Sequence, residues 1–229
     1  MNKLAPAYLQ ELNRVGYDLI DAEGLYQKLA NGFQALDKFG QYEKYCFLRW
    51  LVLKRLFPAT PIIHYDGDIV WNVKPEYLAK LVAGKTFVFD GGPAFTAISD
   101  KKWLEVYERE LNKLVRDPEL YALDWQGTQY RKRIGSDQDL IDYLLQKKLV
   151  PQDNLPKSYY EFNENPLNLI NQTPPNLAFW HMQTDFVHYL NLKYMLAPYG
   201  LSRWAPNPLR TPKIVLRAIY ALGRMAGRG

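Results

Sequence analysis

One cysteine among 229 residues, Cys46, excludes an intrachain disulfide, so the fold must rest on buried apolar surface. A lone thiol with no second ligand or activating base nearby reads as a core residue, and the absence of bridges fits a reducing, cytoplasmic setting. Uncharged apolar runs of about 18 residues are missing, and Glu11, Asp18, Asp21 and Glu23 interrupt the opening stretch, so neither a spanning helix nor a secretory signal is expected. Acidic residues are missing from 186 to 229, where Lys193, Arg203, Arg210, Lys213, Arg217, Arg224 and Arg228 supply seven positive charges; taking seven from the net +5 leaves −2 for the rest. The basicity therefore concerns the partner of the tail and not the folding of the body. Internal repeats and low-complexity runs are also missing, which sets solenoids and propellers aside.

What is present is an ordinary globular composition, 48% hydrophobic and 23% charged. A chain of this length buries roughly 70% of its unfolded surface, enough for a core without staples. Residues 24–37 and 41–57 carry helical patterning, the second nearly apolar all round and so expected to be buried. Short apolar runs at 62–65, 69–71, 87–89, 94–98, 167–170 and 177–180 read as strands. A helix beginning near Ser99 or Asp100 puts Trp103, Tyr107, Leu111 and Leu114 on one stripe, and Ser136 caps another carrying Leu140, Ile141, Leu144 and Leu145. Residues 116–135 are irregular. The alternation predicts an α/β domain with a mainly parallel sheet flanked by helices.

Chemistry is concentrated where the strand Ile62-Ile63-His64-Tyr65 opens into Asp66-Gly67-Asp68. Two carboxylates at i and i+2 repel one another unless a cation lies between them, and hard oxygen donors suit Mg²⁺ or Mn²⁺. In open α/β sheets ligands bind beyond the carboxyl ends of strands, which favours a metal at this turn over a plain acidic surface turn.

Arg49 in a helix, the run Ile62 to Val70, the glycine turn and strand over 90–98, Gly135-Ser136-Asp137-Gln138-Asp139-Leu140-Ile141, and a strand ending in His181 follow in an order that resembles the metal-dependent GT-A glycosyltransferases, from about residue 18 to 190. The resemblance implies a GT-A-like (Rossmann-like) domain that moves a sugar from a nucleotide-sugar donor to a carbohydrate, lipid-linked or protein acceptor. It implies Mn²⁺ or Mg²⁺ on Asp66, Asp68 and His181, with Asp66 also serving the donor. Arg49 would reach the diphosphate as a counter-charge, and the backbone at Gly91 and Gly92 would admit the sugar. Asp137 and Gln138 would lie at its reacting face, in a pattern closer to retaining than to inverting members. Each residue also has a plain reading: Asp137 as a helix-dipole partner, His181 as a hydrogen-bonded rim residue, Arg49 as a snorkelling side chain, Gly91-Gly92 as a turn.

About 65 residues precede Asp66, fewer than the family's base-gripping first region; the opening stretch resembles the end of that region, with Tyr17–Ile20 as its late strand, so the expectation is a shortened form, a fragment or a clipped gene model. The domain is expected over 1–197, followed over 198–229 by a connector holding Pro198, Pro206, Pro208 and Pro212 and a basic amphipathic helix at 213–226. That helix suits either an anionic membrane surface or packing on the body. Nucleic acid is not an expected partner, because the aromatic residues are not interleaved with the basic cluster. The rival reading is a catalytically inactive, glycosyltransferase-like binding subunit.

Overall fold

The computed structural model describes residues 6–14, 16–59, 61–66, 69–71, 73–89, 92–119, 125, 127, 133–155, 160–162 and 179–181. The chain forms two compact units, one from residues 1–60 with 101–150 and one from 61–100 with 151–229. Among the described residues the first unit is helical, and the second holds the strands and one short helix.

In the first unit α1 spans Pro6–Arg14, α2 Glu23–Gly32, α3 Gln41–Leu56, and a 3₁₀ turn spans Gln34–Phe39. The expected helix over 24–37 is therefore broken: Phe33 N–H donates to the carbonyls of Leu29 and Ala30, and the chain tightens into the 3₁₀ turn after Gly32. Helix α3 buries Lys44, Cys46, Phe47, Leu48, Trp50 and Leu51 but exposes Tyr42, Tyr45 and Arg55, so it is one-sided rather than buried all round. The expected strand at Tyr17–Ile20 has no regular structure, and Tyr17, Leu19 and Ile20 are exposed. No described strand pairs with it to take up its backbone groups.

Helix α5, Lys102–Arg116, buries the whole predicted stripe of Trp103, Tyr107, Leu111 and Leu114. Trp103 and Tyr107 stack with planes 7° apart and centroids 5.9 Å apart, and Trp50 tilts against both at 5.5 and 6.1 Å. Such ring pairs add about 0.5–1.5 kcal/mol each beyond their buried area. Helix α6, Asp137–Gln146, starts where the capping pattern placed it. Ser136 Oγ accepts from Asp139 N–H at 3.4 Å, and the Asp139 carboxylate accepts the Ser136 hydroxyl at 3.0 Å and Gly135 N–H at 2.9 Å.

In the second unit β1 (Ile62–Tyr65), β3 (Phe87–Val88) and β4 (Phe95–Ile98) form one antiparallel sheet in the order β1-β4-β3. Strands β2 (Ile69–Trp71), β6 (Phe179–His181) and β5 (Tyr160–Phe162) form another in the order β2-β6-β5, in which β2 runs antiparallel and β5 parallel to β6. The mixed α/β class holds, but a mainly parallel sheet is not what the described strands build. Parallel neighbours need crossovers of a dozen or more residues, whereas β3 returns into β4 through residues 89–94. Strand β5 was not foreseen, and the strand expected at 167–170, the connector and the basic helix at 213–226 lie outside the described residues. Helix α4, Pro75–Leu81, contributes Leu78 to a core with Ile69, Val82, Phe87, Phe89, Ala94, Phe95, Ala97 and Leu155. At the outer edge of β3, the Gln152 amide accepts Val88 N–H at 3.0 Å and donates to Val88 C=O at 2.9 Å. The Asp153 carboxylate accepts Thr86 N–H at 2.7 Å, and the Asp153 backbone N–H donates to Thr86 C=O at 2.6 Å. No described helix is long and apolar enough to cross a membrane.

Glu108 on α5 receives Lys54 and Arg55 from α3. Partial burial pushes its carboxyl up, but the hydrogen bonds and charges of the two cations outweigh this and hold it below its ordinary value of 4.5. A carboxyl lowered on folding contributes stability that is complete above its unfolded value and is lost as pH falls through the folded one. Urea midpoints measured from about pH 6 down to about pH 3 should fall less steeply for Glu108→Gln than for the parent chain. Parallel curves would remove Glu108 from the acid response.

Candidate functional site

The residues singled out by sequence fall into two constellations, one in each unit.

In the first unit Arg49 and Trp50, neighbours on α3, converge on Asp137, the first residue of α6. Arg49 donates to Asp137 Oδ2 through Nε at 3.0 Å and Nη2 at 2.7 Å, and Trp50 Nε1 donates to the same oxygen at 2.9 Å. Asp137 is 2% exposed, and the cation that meets it lies partly over the Trp50 ring, 5.5 Å from its centroid. A carboxylate this deep in the protein needs a partner charge, and Arg49 is that partner. Gln138, one residue on, is exposed. Two residues assigned separate roles on a donor are thus brought into direct contact, whereas Gln138 points away from that contact into solvent-exposed surface.

Tyr107 belongs to the same environment. Its hydroxyl donates to Phe47 C=O at 3.1 Å. Burial foremost, and then the charge of Asp137, push its phenol well above the usual range, with Arg49 opposing, so it stays neutral. Trp50 as a partner of Asp137 was not legible in sequence: an indole in an apolar helix gives no sign of which acceptor it will find. Asp142 was also passed over. It accepts Trp125 Nε1 at 3.1 Å and Gln146 Nε2 at 2.7 Å, and burial, followed by the charge of Asp139, raises its carboxyl against the pull of those two bonds.

In the second unit Asp66 follows β1 directly. Its N–H donates to Ala94 C=O at 2.8 Å, and its C=O accepts Ile69 N–H at 3.1 Å, so the chain turns there between β1 and β2. The first bond ties Asp66 to the segment that begins with Gly92, whose own N–H donates to Phe89 C=O at 2.8 Å. Asp66 and Gly92 are therefore brought to one end of the antiparallel sheet. A Cβ built on Gly92 would meet only Phe89 C=O, at the ordinary contact distance of 3.8 Å, so packing within the described fold does not demand glycine there. His181 ends β6 with its backbone opposite Ile69, the residue that follows Asp68 in the chain. Gly91, Asp68 and the side chain of His181 lie outside the described residues.

The oxygen donor that is described, Asp66, is partly open to solvent at 31% side-chain exposure. Its Oδ1 stands 4.0 Å from Nε2 of His64, two residues earlier on β1. A carboxylate with an imidazole nitrogen beside it fits Mn²⁺, or Mg²⁺ less well, since Mg²⁺ favours oxygen alone. Among the described residues no group of three or more His, Cys, Asp or Glu side chains converges as a metal cage.

The Arg49–Asp137 pair yields a stability test. Asp137→Ala leaves the guanidinium and the indole N–H without their acceptor and should cost roughly 3–5 kcal/mol in urea unfolding. Asp137→Asn keeps an acceptor oxygen and should cost less; equal, small losses for both would show that the pair does not hold α3 to α6. No known protein family, no curated protein and no solved structure matches the chain.

Proposed function

We propose that the protein is a glycosyltransferase that uses a divalent cation at Asp66 and Asp68, completed by His181, to hold and neutralise the diphosphate of a nucleotide-sugar donor. The single observation that carries this reading is the convergence in the second unit: β1 delivers Asp66 beside the Gly92 turn, and β2, starting one residue after Asp68, pairs with the strand that ends in His181. The segments 92–94 and 179–181 thus pair with the backbone on either side of residues 67 and 68, at Asp66 and at Ile69. When bound, the cation would act as a Lewis acid on the departing diphosphate, an effect worth several kcal/mol in typical sites. The chain's own contribution is to bring hard donors and an accessible glycine backbone to one sheet end. A GT-A-like sheet, the retaining outcome and attachment of 213–226 to an anionic membrane belong to the same proposal.

The Arg49–Asp137 contact favours a second reading, a donor-free binding subunit, because each charge already neutralises the other. A screen for nucleotide diphosphate release from several sugar nucleotides, with and without Mn²⁺, separates the two. Mn²⁺-dependent release from at least one donor is expected. Asp68→Asn should reduce that release by at least about two orders of magnitude while leaving the far-ultraviolet circular dichroism unchanged. An undiminished rate in Asp68→Asn would remove the metal from the reaction. No release from any donor would leave the binding subunit.

A further inference from the structure

His64 is not among the metal ligands that the proposed function names. It lies on β1, opposite Thr96 of β4, with its side chain 15% exposed. Its Nδ1 is 3.2 Å from Pro93 C=O. A carbonyl oxygen only accepts, so Nδ1 carries the proton, and in the neutral ring Nε2 carries the lone pair. This hydrogen bond fixes both the tautomer and the orientation of the ring. Histidines that bind metals are held in the same manner, with the second ring nitrogen donating to a backbone carbonyl or a carboxylate.

The nitrogen so prepared is the one 4.0 Å from Asp66 Oδ1. That separation is too long for a direct hydrogen bond. It lies between the roughly 3.0 Å and 4.2 Å that separate adjacent and opposite donors when each sits about 2.1 Å from one ion, so the two side chains bracket a space of ionic size. Their spacing in sequence has the same implication, since residues i and i+2 along an extended segment project from one face, and Asp66 continues β1 with its N–H bonded to Ala94 C=O, next after Tyr65 opposite Phe95. Both side chains retain enough exposure for an ion to enter from solvent.

We infer that His64 Nε2 and Asp66 Oδ1 are joint ligands of one divalent cation at the carboxyl end of β1, with the Pro93 carbonyl orienting the imidazole. This rests on the metal reading proposed above and adds to it a nitrogen ligand upstream of the paired carboxylates. His64 thereby couples the cation to the 92–94 turn: the residue that binds the ion on one side of its ring grips the turn with the other.

The chain has three histidines, His64, His181 and His188, so the source of any metal-bound nitrogen can be assigned by substitution. Mn²⁺ is titrated into the full chain and followed by electron paramagnetic resonance, with ¹⁴N modulation of the bound signal read by pulsed methods. In a chain carrying His181→Gln and His188→Gln, bound Mn²⁺ is expected to retain ¹⁴N modulation from His64. Adding His64→Gln should abolish it, and His64→Gln alone should weaken Mn²⁺ binding by about tenfold or more. Circular dichroism of each variant, compared with the parent, identifies any that fails to fold. For a misfolded variant, the reading passes to natural-abundance nitrogen correlation spectra of the parent chain, where Zn²⁺ should shift Nε2 of His64 and leave its Nδ1 protonated. Bound Mn²⁺ that shows unchanged affinity and modulation in His64→Gln, or a His64 Nε2 that does not move with Zn²⁺, overturns this inference and leaves the metal at the carboxylates standing. Absence of Mn²⁺ binding by the parent chain at millimolar concentration overturns both.

Discussion

A single carboxylate oxygen governs the helical unit. Asp137 Oδ2 collects two N–H groups from Arg49 and one from Trp50, all from α3, although it belongs to the first turn of α6. A buried ion removed from water is costly unless its lone pairs are answered, so α6 cannot shift along α3 without exposing that cost. The aromatic trio of Trp50, Trp103 and Tyr107 fills the space around the pair, and Tyr107 stays neutral because a second negative charge there would face Asp137 in a dry environment. Polar specificity and apolar packing thus meet in Trp50, which serves the rings with its face and the carboxylate with its nitrogen.

The strand-bearing unit is organised by turns rather than by a buried charge. Asp66 makes its backbone bonds in two directions, to Ala94 and to Ile69, and thereby joins the end of one sheet to the start of another. His64 extends this pattern, since its ring reaches the same 92–94 segment that the Asp66 amide reaches.

Much of the helical part was legible because its signals are local. The stripe of Trp103, Tyr107, Leu111 and Leu114 repeats at helical spacing, and Ser136 with Asp139 spells a cap. Strand positions were also legible from short apolar runs, but their pairing was not. Alternating helices and strands imply parallel neighbours only when helices fill the crossovers, and between β1 and β4 the one described helix is the seven-residue α4. Tyr17–Ile20 had the residues of a strand but pairs with none of the described strands, a fact no local pattern contains. For the site, the choice of residues was readable and their mutual contacts were not. Arg49 and Asp137 are 88 positions apart, and nothing in either segment announces that one neutralises the other.

The Gln152 amide on Val88 has a further meaning for the life of the protein in a crowded solution. An outermost strand with open donors and acceptors is an invitation to a stranger's backbone, the usual first step toward fibrils and swapped dimers. A side-chain amide reproduces the donor and acceptor of a peptide group but has no next residue to offer, so the ladder stops with it. Any incoming chain must first evict both Gln152 and Asp153, which makes this margin of the sheet a terminus rather than a template.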